Sequence, residues 1–186
     1  MTDVQIENMV VAFSIESSLD LPKLAGILPD AKYNPDEVPA LVLQFVKPRS
    51  IATLFSTGNV VVTGPRSMTE TQDVVKMVLD RLSVVGVQMQ TSPDVKVQNV
   101  TASTDLARPV DLRFLVKSLQ HVEYDAKVFP GLIYKGDDPN TVILLFDSGK
   151  IICNGTSIET VTVALEKMLE KLLSFGIKKE EKTCQT

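Results

Sequence analysis

The chain has 186 residues, is 44% hydrophobic and 23% charged, and carries a net charge of −4 at pH 7. These values describe an ordinary globular composition with enough apolar residues for a sizeable core. They argue against a protein that grips nucleic acid through bulk positive charge. No apolar run reaches the length of a bilayer span, and MTDVQIEN lacks the basic region and apolar core of a secretory leader. Cys153 falls in an expected strand and Cys184 in a polar tail, which favours reduced thiols over a disulfide.

In chain order, Val4–Ile15 is dense in β-branched and apolar residues and reads as a strand. Asp20 offers an N-cap to a short helix, with Pro22 in its first turn and Leu21, Leu24, Ile27 and Leu28 on one face; Pro29-Asp30 ends it. A brief strand and the turn Tyr33-Asn34-Pro35-Asp36 follow. Three strands come next, Leu41–Val46, Ile51–Phe55 and Val60–Thr63, joined at Lys47-Pro48-Arg49 and Thr57-Gly58-Asn59. Ser67 or Thr69 then caps a long helix. Its stripe is Val74, Val75, Val78, Leu82 and Val85, with Glu70, Lys76, Asp80 and Arg81 toward water.

Gly86–Asp94 reads as a linker, after which the order of elements recurs. Val95–Leu106 is a strand, a short helix starts near Asp111, and His121–Tyr124 is extended. Leu132–Tyr134, Thr141–Phe146 and Ile151–Cys153 are strands. Ile158–Phe175 is a second long helix, with Val161, Leu165, Met168, Leu169 and Leu172 inward, and KKEEKTCQT is a polar, fraying tail.

The recurrence is a true internal repeat. Val4–Gly64 lies over Val95–Gly155 without a gap, at a constant offset of 91. There are 14 identical pairs, among them Asn8/Asn99, Asp20/Asp111, Tyr33/Tyr124, Pro39/Pro130, Phe55/Phe146 and Gly58/Gly149. Ordinary residue usage gives about four by chance. Two copies are too few for a solenoid and suggest a duplicated unit about a pseudo-twofold axis.

The strand alternation poses a physical problem. In Thr141–Phe146 one face carries Val142, Leu144 and Phe146, and the other Thr141, Ile143 and Leu145. Apolar groups on both faces suit a sheet covered on both sides. Tight-turn connections make this sheet antiparallel, and two helices per copy cover one face only. The other face is then broad, apolar and open, which marks a binding surface. Asn8, Asn99, Thr63 and Asn154 place short polar groups near its centre. A groove presenting apolar walls and a few acceptors, as the DNA minor groove does at A·T pairs, fits that character.

Catalytic readings are weaker. Cys153 sits between Ile152 and Asn154 with no base nearby and reads as a buried thiol. His121 has no cluster at ligand spacing, and Asp137-Asp138 before Pro139 is a turn signal. No acid–base pair or nucleophile constellation is present, and no metal, cofactor, membrane or small-molecule substrate is implied.

The stretches VQIENMV, VKVQNVT, FPGLIY at Phe129–Tyr134 and LLFDSGKIICNG at Leu144–Gly155, set in this duplicated order, resemble the TATA-box-binding protein family. The resemblance runs from Val4 to about Gly176, and the acidic balance and short N-terminus look like the archaeal type. It implies an α+β pseudo-twofold saddle of two repeats, residues 1–90 and 91–186. A curved ten-stranded antiparallel sheet forms its underside and four helices its convex face. The implied activity is binding and bending of promoter DNA through the minor groove, with apolar side chains wedged into base steps, a mechanism for which this family is itself a type example. The implied partners are double-stranded A·T-rich promoter DNA, a transcription factor B-type protein and the RNA polymerase initiation complex. The setting would be the cytoplasmic nucleoid for an archaeal protein and the nucleus for a eukaryotic one.

Carried over by position, the wedge pairs are Phe129 with Phe146 and Val38 with Phe55, so one wedge is a valine. The central hydrogen-bonding residues are Asn8 and Asn99. The flanking face comprises Val10, Thr53, Val61, Thr63, Thr101, Leu144, Ile152 and Asn154, and the phosphate positions are Gln44, Arg49, Lys135 and Lys150. Gln44 and Asn59 are neutral where the resemblance implies basic residues. Asp125, Lys127 and Val128 lie in the loop where the factor B partner would dock, and Lys127 reverses the expected charge there. Fewer phosphate contacts imply weaker, less salt-sensitive binding, with the first half more altered than the second. A divergent paralogue acting as a protein-interaction module is the alternative reading.

Overall fold

The computed structural model describes residues 3–89, 92–136 and 138–178. Asp137, Cys184 and the rest of the tail beyond Lys178, and Gln90 and Thr91 of the expected linker, lie outside the described residues.

Short polar residues set the helix starts. Asp20 accepts from the Lys23 amide at 3.1 Å and opens α1 (Leu21–Ile27). Asp111 does the same for α3 (Leu112–Ser118), accepting from the Arg113 and Phe114 amides. Of the two candidates for the first long helix, Ser67 is the cap: it accepts from the Glu70 amide at 3.1 Å and opens α2 (Met68–Val84). The Glu70 carboxylate returns to the Arg66 amide at 2.6 Å. Ser157 caps α4 (Ile158–Ser174) in the same way. Each such cap contributes about 1 kcal/mol to its helix. Ser67 and Ser157 are 90 positions apart, not 91, so the turn after the second copy's last strand is one residue shorter than its counterpart.

The strands are β1 (Gln5–Ser14), β2 (Ala31–Asn34), β3 (Val38–Val46), β4 (Arg49–Phe55), β5 (Asn59–Thr63), β6 (Lys96–Asp105), β7 (Val122–Glu123), β8 (Gly131–Tyr134), β9 (Val142–Phe146) and β10 (Lys150–Gly155). The chain divides into two compact units, Asn8–Gln98, and Asn99–Thr186 with Met1–Glu7. In the first the strand order is β2-β3-β4-β5-β1; in the second it is β6-β10-β9-β8-β7. The pairings within each unit are antiparallel. The turn glycines Gly58 and Gly149 have φ of +86° and +92°. A Cβ at either would lie 2.1 Å from a backbone oxygen, of Ser17 and Arg108 respectively, so both turns exclude a side chain.

The first unit's core takes alternate residues from each strand: Val11, Phe13, Leu41, Leu43, Ala52, Leu54, Val60 and Val62. Against them pack Leu21, Leu24 and Leu28 from α1 and its C-cap, and Val74, Val78 and Leu82 from α2. The second unit repeats this with Ile143, Leu145, Ile151, Cys153, Val161, Leu165, Met168 and Leu172.

Several expectations need correction. Ile27 is 49% exposed, because it sits about 100° round the helix from Leu28, and Leu21, Leu24 and Leu28 hold the buried face. Leu169 is only partly buried, since Leu165, Met168 and Leu172 complete the stripe. Arg81 does not simply face water: it pairs with Asp30 and lies 5.2 Å over the Phe45 ring. Strands β3 and β4 start earlier than expected, at Val38 and Arg49, because cross-strand pairing already begins there, Val38 with Asn34 and Arg49 with Val46.

Candidate nucleic-acid interface

Residues that are not in the core set form the opposite face of each sheet. Cross-strand partners share a face, so the register gives its layout. In the first unit one row runs Val42–Thr53–Val61–Ala12 and the next Gln44–Ile51–Thr63–Val10. In the second unit one row runs Ile133–Leu144–Ile152–Ser103, and Val142–Asn154–Thr101 lies beside it. Thr53, Val61, Thr63, Val10, Thr101, Leu144, Ile152 and Asn154, singled out from sequence, therefore all fall on these faces, each partly exposed. Val42, Ala12, Ile133 and Ser103 join them and were missed; only the strand pairing reveals them.

The polar groups have a definite hydrogen-bond sense. The Asn8 carbonyl oxygen accepts from the Gly64 amide at 2.8 Å and from the Thr63 hydroxyl at 3.3 Å. In the second unit the Thr101 hydroxyl donates to the Asn154 carbonyl oxygen at 2.7 Å. With both oxygens engaged, the amide N–H2 groups are what Asn8 and Asn154 present outward-bound to a partner. Asn99 is partly buried on β6, next to Val100, which pairs with Gly155. The Ser103 hydroxyl donates to the Glu7 carboxylate at 2.6 Å, a carboxylate at this face that sequence reading did not place.

The aromatic candidates differ between units. Phe129 and Phe146 meet edge to face, with centroids 5.8 Å apart and planes at 65°. Gly131, opposite Phe146, makes room: a Cβ there would lie 2.8 Å from the Phe129 ring and 3.1 Å from the Phe146 ring. In the first unit the equivalent position is Ala40, buried and opposite Phe55. Val38 stands in place of the second ring and is 50% exposed. A hollow of about 880 Å³ borders Phe55, Pro39, Val61 and Asn59.

Charged candidates sit at the margins. Arg49 is exposed at the start of β4, and Lys150 is exposed opposite Asp105. Gln44 accepts from the Lys32 ammonium at 3.3 Å, and Lys135 pairs with Glu123 at 2.7 Å. Lys32 and Glu123 are further residues that sequence reading missed. In the loop before β8 the Asp125 carboxylate accepts from the Lys127 amide, and its carbonyl accepts from the Val128 and Phe129 amides. This turn leaves Lys127 exposed and Val128 83% exposed. Cys153 is fully buried, and burial, helped by the negative charge of Asp138, pushes its thiol up to about 11.

The family model described as "Transcription factor TFIID (or TATA-binding protein, TBP)" matches residues 3–85 and 94–175. The chain belongs to the TATA-box-binding protein family. A TATA-box-binding protein of Thermococcus sibiricus is 38% identical over 180 residues, 96% of this chain and 97% of that protein. One from Pyrobaculum calidifontis is 39% identical over 174 residues, 93% of this chain and 87% of that one. The solved structure of Methanococcus jannaschii TBP superposes with a TM-score of 0.83 at 34% identity, covering 92% of this chain and 98% of that one. The α+β class expected from sequence, ten antiparallel strands with four helices, is thus the TATA-box-binding protein fold, of archaeal type.

Proposed function

We propose that this chain binds A·T-rich promoter duplex through the minor groove, using the open sheet faces of its two repeats, 1–90 and 91–186, and bends it. The observation that carries this reading is the donor sense of the amides. Asn8 and Asn154 have their carbonyl oxygens engaged and offer N–H2 groups. The minor groove at A·T pairs offers only acceptors, adenine N3 and thymine O2, whereas guanine adds a donor that would meet these amides head-on. Valine, leucine and isoleucine around them match the groove's apolar walls. Phe129 with Phe146, and Phe55 with Val38, would enter the end steps as wedges, the mode for which TATA-box-binding proteins are a type example. The relatives carry the name TATA-box-binding protein, which supports the same target.

The further step is recruitment. The loop of Asp125, Lys127 and Val128 would dock a factor B-type protein, which in turn brings RNA polymerase. A fluorescence bending assay on an end-labelled duplex tests the first part. The expected result is bending of an A·T-rich site at submicromolar protein, weakened when G·C pairs replace the centre. Equal binding to both, or no bending at micromolar protein with a factor B-type protein still captured, would instead favour an interaction module.

A further inference from the structure

The two edge pairs are built from equivalent positions with opposite charge. Lys32 and Glu123 are 91 apart, as are Gln44 and Lys135. Lys32 lies opposite Val42, and Tyr33 beside it packs toward the core, so Lys32 stands on the open face at the outer end of the Val42–Thr53–Val61 row. Glu123 lies opposite Ile133, at the outer end of the Ile133–Leu144–Ile152 row. Each forms the edge-strand side of a pair whose other member is Gln44 on the neighbouring strand β3 or Lys135 directly after β8. In the first unit the Lys32 ammonium donates to the neutral Gln44 amide oxygen at 3.3 Å. In the second the Lys135 ammonium donates to the Glu123 carboxylate at 2.7 Å, with side chains 58% and 62% exposed.

The first pair therefore carries a net positive charge and the second none. Counting positions 44 and 135 alone leads to the opposite conclusion, that the first half has lost its cation and the second has kept it. Across the strand pair, the cation of the first half has moved to the edge strand, and that of the second half is cancelled in place. A lysine hydrogen-bonded to a neutral amide can meet a phosphate without giving up an ion pair; Lys135 must first part from Glu123.

We propose that Lys32 contacts a backbone phosphate of the bound duplex, and that Glu123 withholds Lys135 from the equivalent contact; this rests on the minor-groove reading above. The first half then holds the backbone more tightly at its outer edge than the second, although its wedge is the weaker one. Each phosphate contact contributes about 0.9 to the slope of log affinity against log salt on B-form DNA. The test is fluorescence anisotropy on one A·T-rich duplex at several salt concentrations, with wild type, Lys32→Gln and Glu123→Gln, each checked for an unchanged melting temperature. Lys32→Gln is expected to weaken binding at low salt and to flatten the slope by about 0.9. Glu123→Gln is expected to tighten binding and steepen the slope. A wild-type slope in Lys32→Gln, or weaker binding in Glu123→Gln, overturns the assignment while leaving DNA binding intact. Absence of duplex binding by the wild type at any salt overturns both.

Discussion

Phe146 and Phe55 occupy equivalent stations 91 residues apart but work in different company. Phe146 leans on Phe129, and Gly131 leaves space for both rings. Phe55 faces Ala40, and Val38, half exposed, stands at the position equivalent to Phe129. A paired ring buries more surface against an unstacked base than a lone β-branched side chain can. Phe146→Ala should therefore reduce the bend measured by energy transfer and weaken binding by on the order of tenfold, about 1.4 kcal/mol. Val38→Ala should change both far less. Equal losses would remove the asymmetry between the halves. The equivalence of these positions was legible in sequence because the repeat aligned them. Gly131 was not, because its role depends on which rings lie opposite it.

Helices and strands show a different balance. The helix starts at Asp20 and Asp111 were written in local sequence, since a side chain reaching an amide two or three residues on needs no tertiary context. The fate of Arg81 was not. It stands in the last turn of α2, and its partner Asp30 follows α1, 51 residues earlier. The Arg81 hydrogen bond holds the Asp30 carboxyl below its usual value, partly opposed by desolvation and aided by the guanidinium charge. A depressed folded value means the pair's stabilisation is present above the unfolded carboxylate range, near 3.9, and is lost as pH falls through the folded value. Asp30→Asn should thus lower the melting temperature at pH 7, with the difference from wild type shrinking as the pH drops below about 4. A difference that stays constant from pH 7 to pH 3 would show that the ion pair contributes nothing. The partial exposure of both groups keeps the expected effect small.

For the molecule as a whole, charge is the deciding quantity. With a net charge of −4 the chain as a whole does not attract DNA at long range, so in the proposed complex most of the affinity comes from shape, wedges and amide donors. Among the described residues, the cations that the register places on the open faces are Lys32, Arg49 and Lys150, with Lys135 held by Glu123. At about 0.9 per phosphate, wild-type affinity should fall with salt at a slope of about −2 to −4. Binding isotherms between 50 and 200 mM salt, a range over which strongly phosphate-dependent binders lose about 10³-fold or more, would read it directly. A slope near −10 would mean that phosphate contacts dominate, contrary to the sparse basic rim.

Sequence alone determined the duplication, the order of strands and helices, the starts of the two short helices, and the existence of an apolar surface with no helix to cover it. Those are local or periodic properties: a period of two along a strand, of 3.6 along a helix, and an offset of 91 along the chain. Only the tertiary structure decided which residues stand next to one another across strands. Register put Lys32 beside Gln44 and Glu123 beside Lys135, and so reversed where the usable positive charge lies. It also turned the asparagine oxygens inward to their partners and left the donors available. Pairing between strands brings together residues far apart in the chain, and no pattern within either strand alone specifies what its neighbour will place opposite.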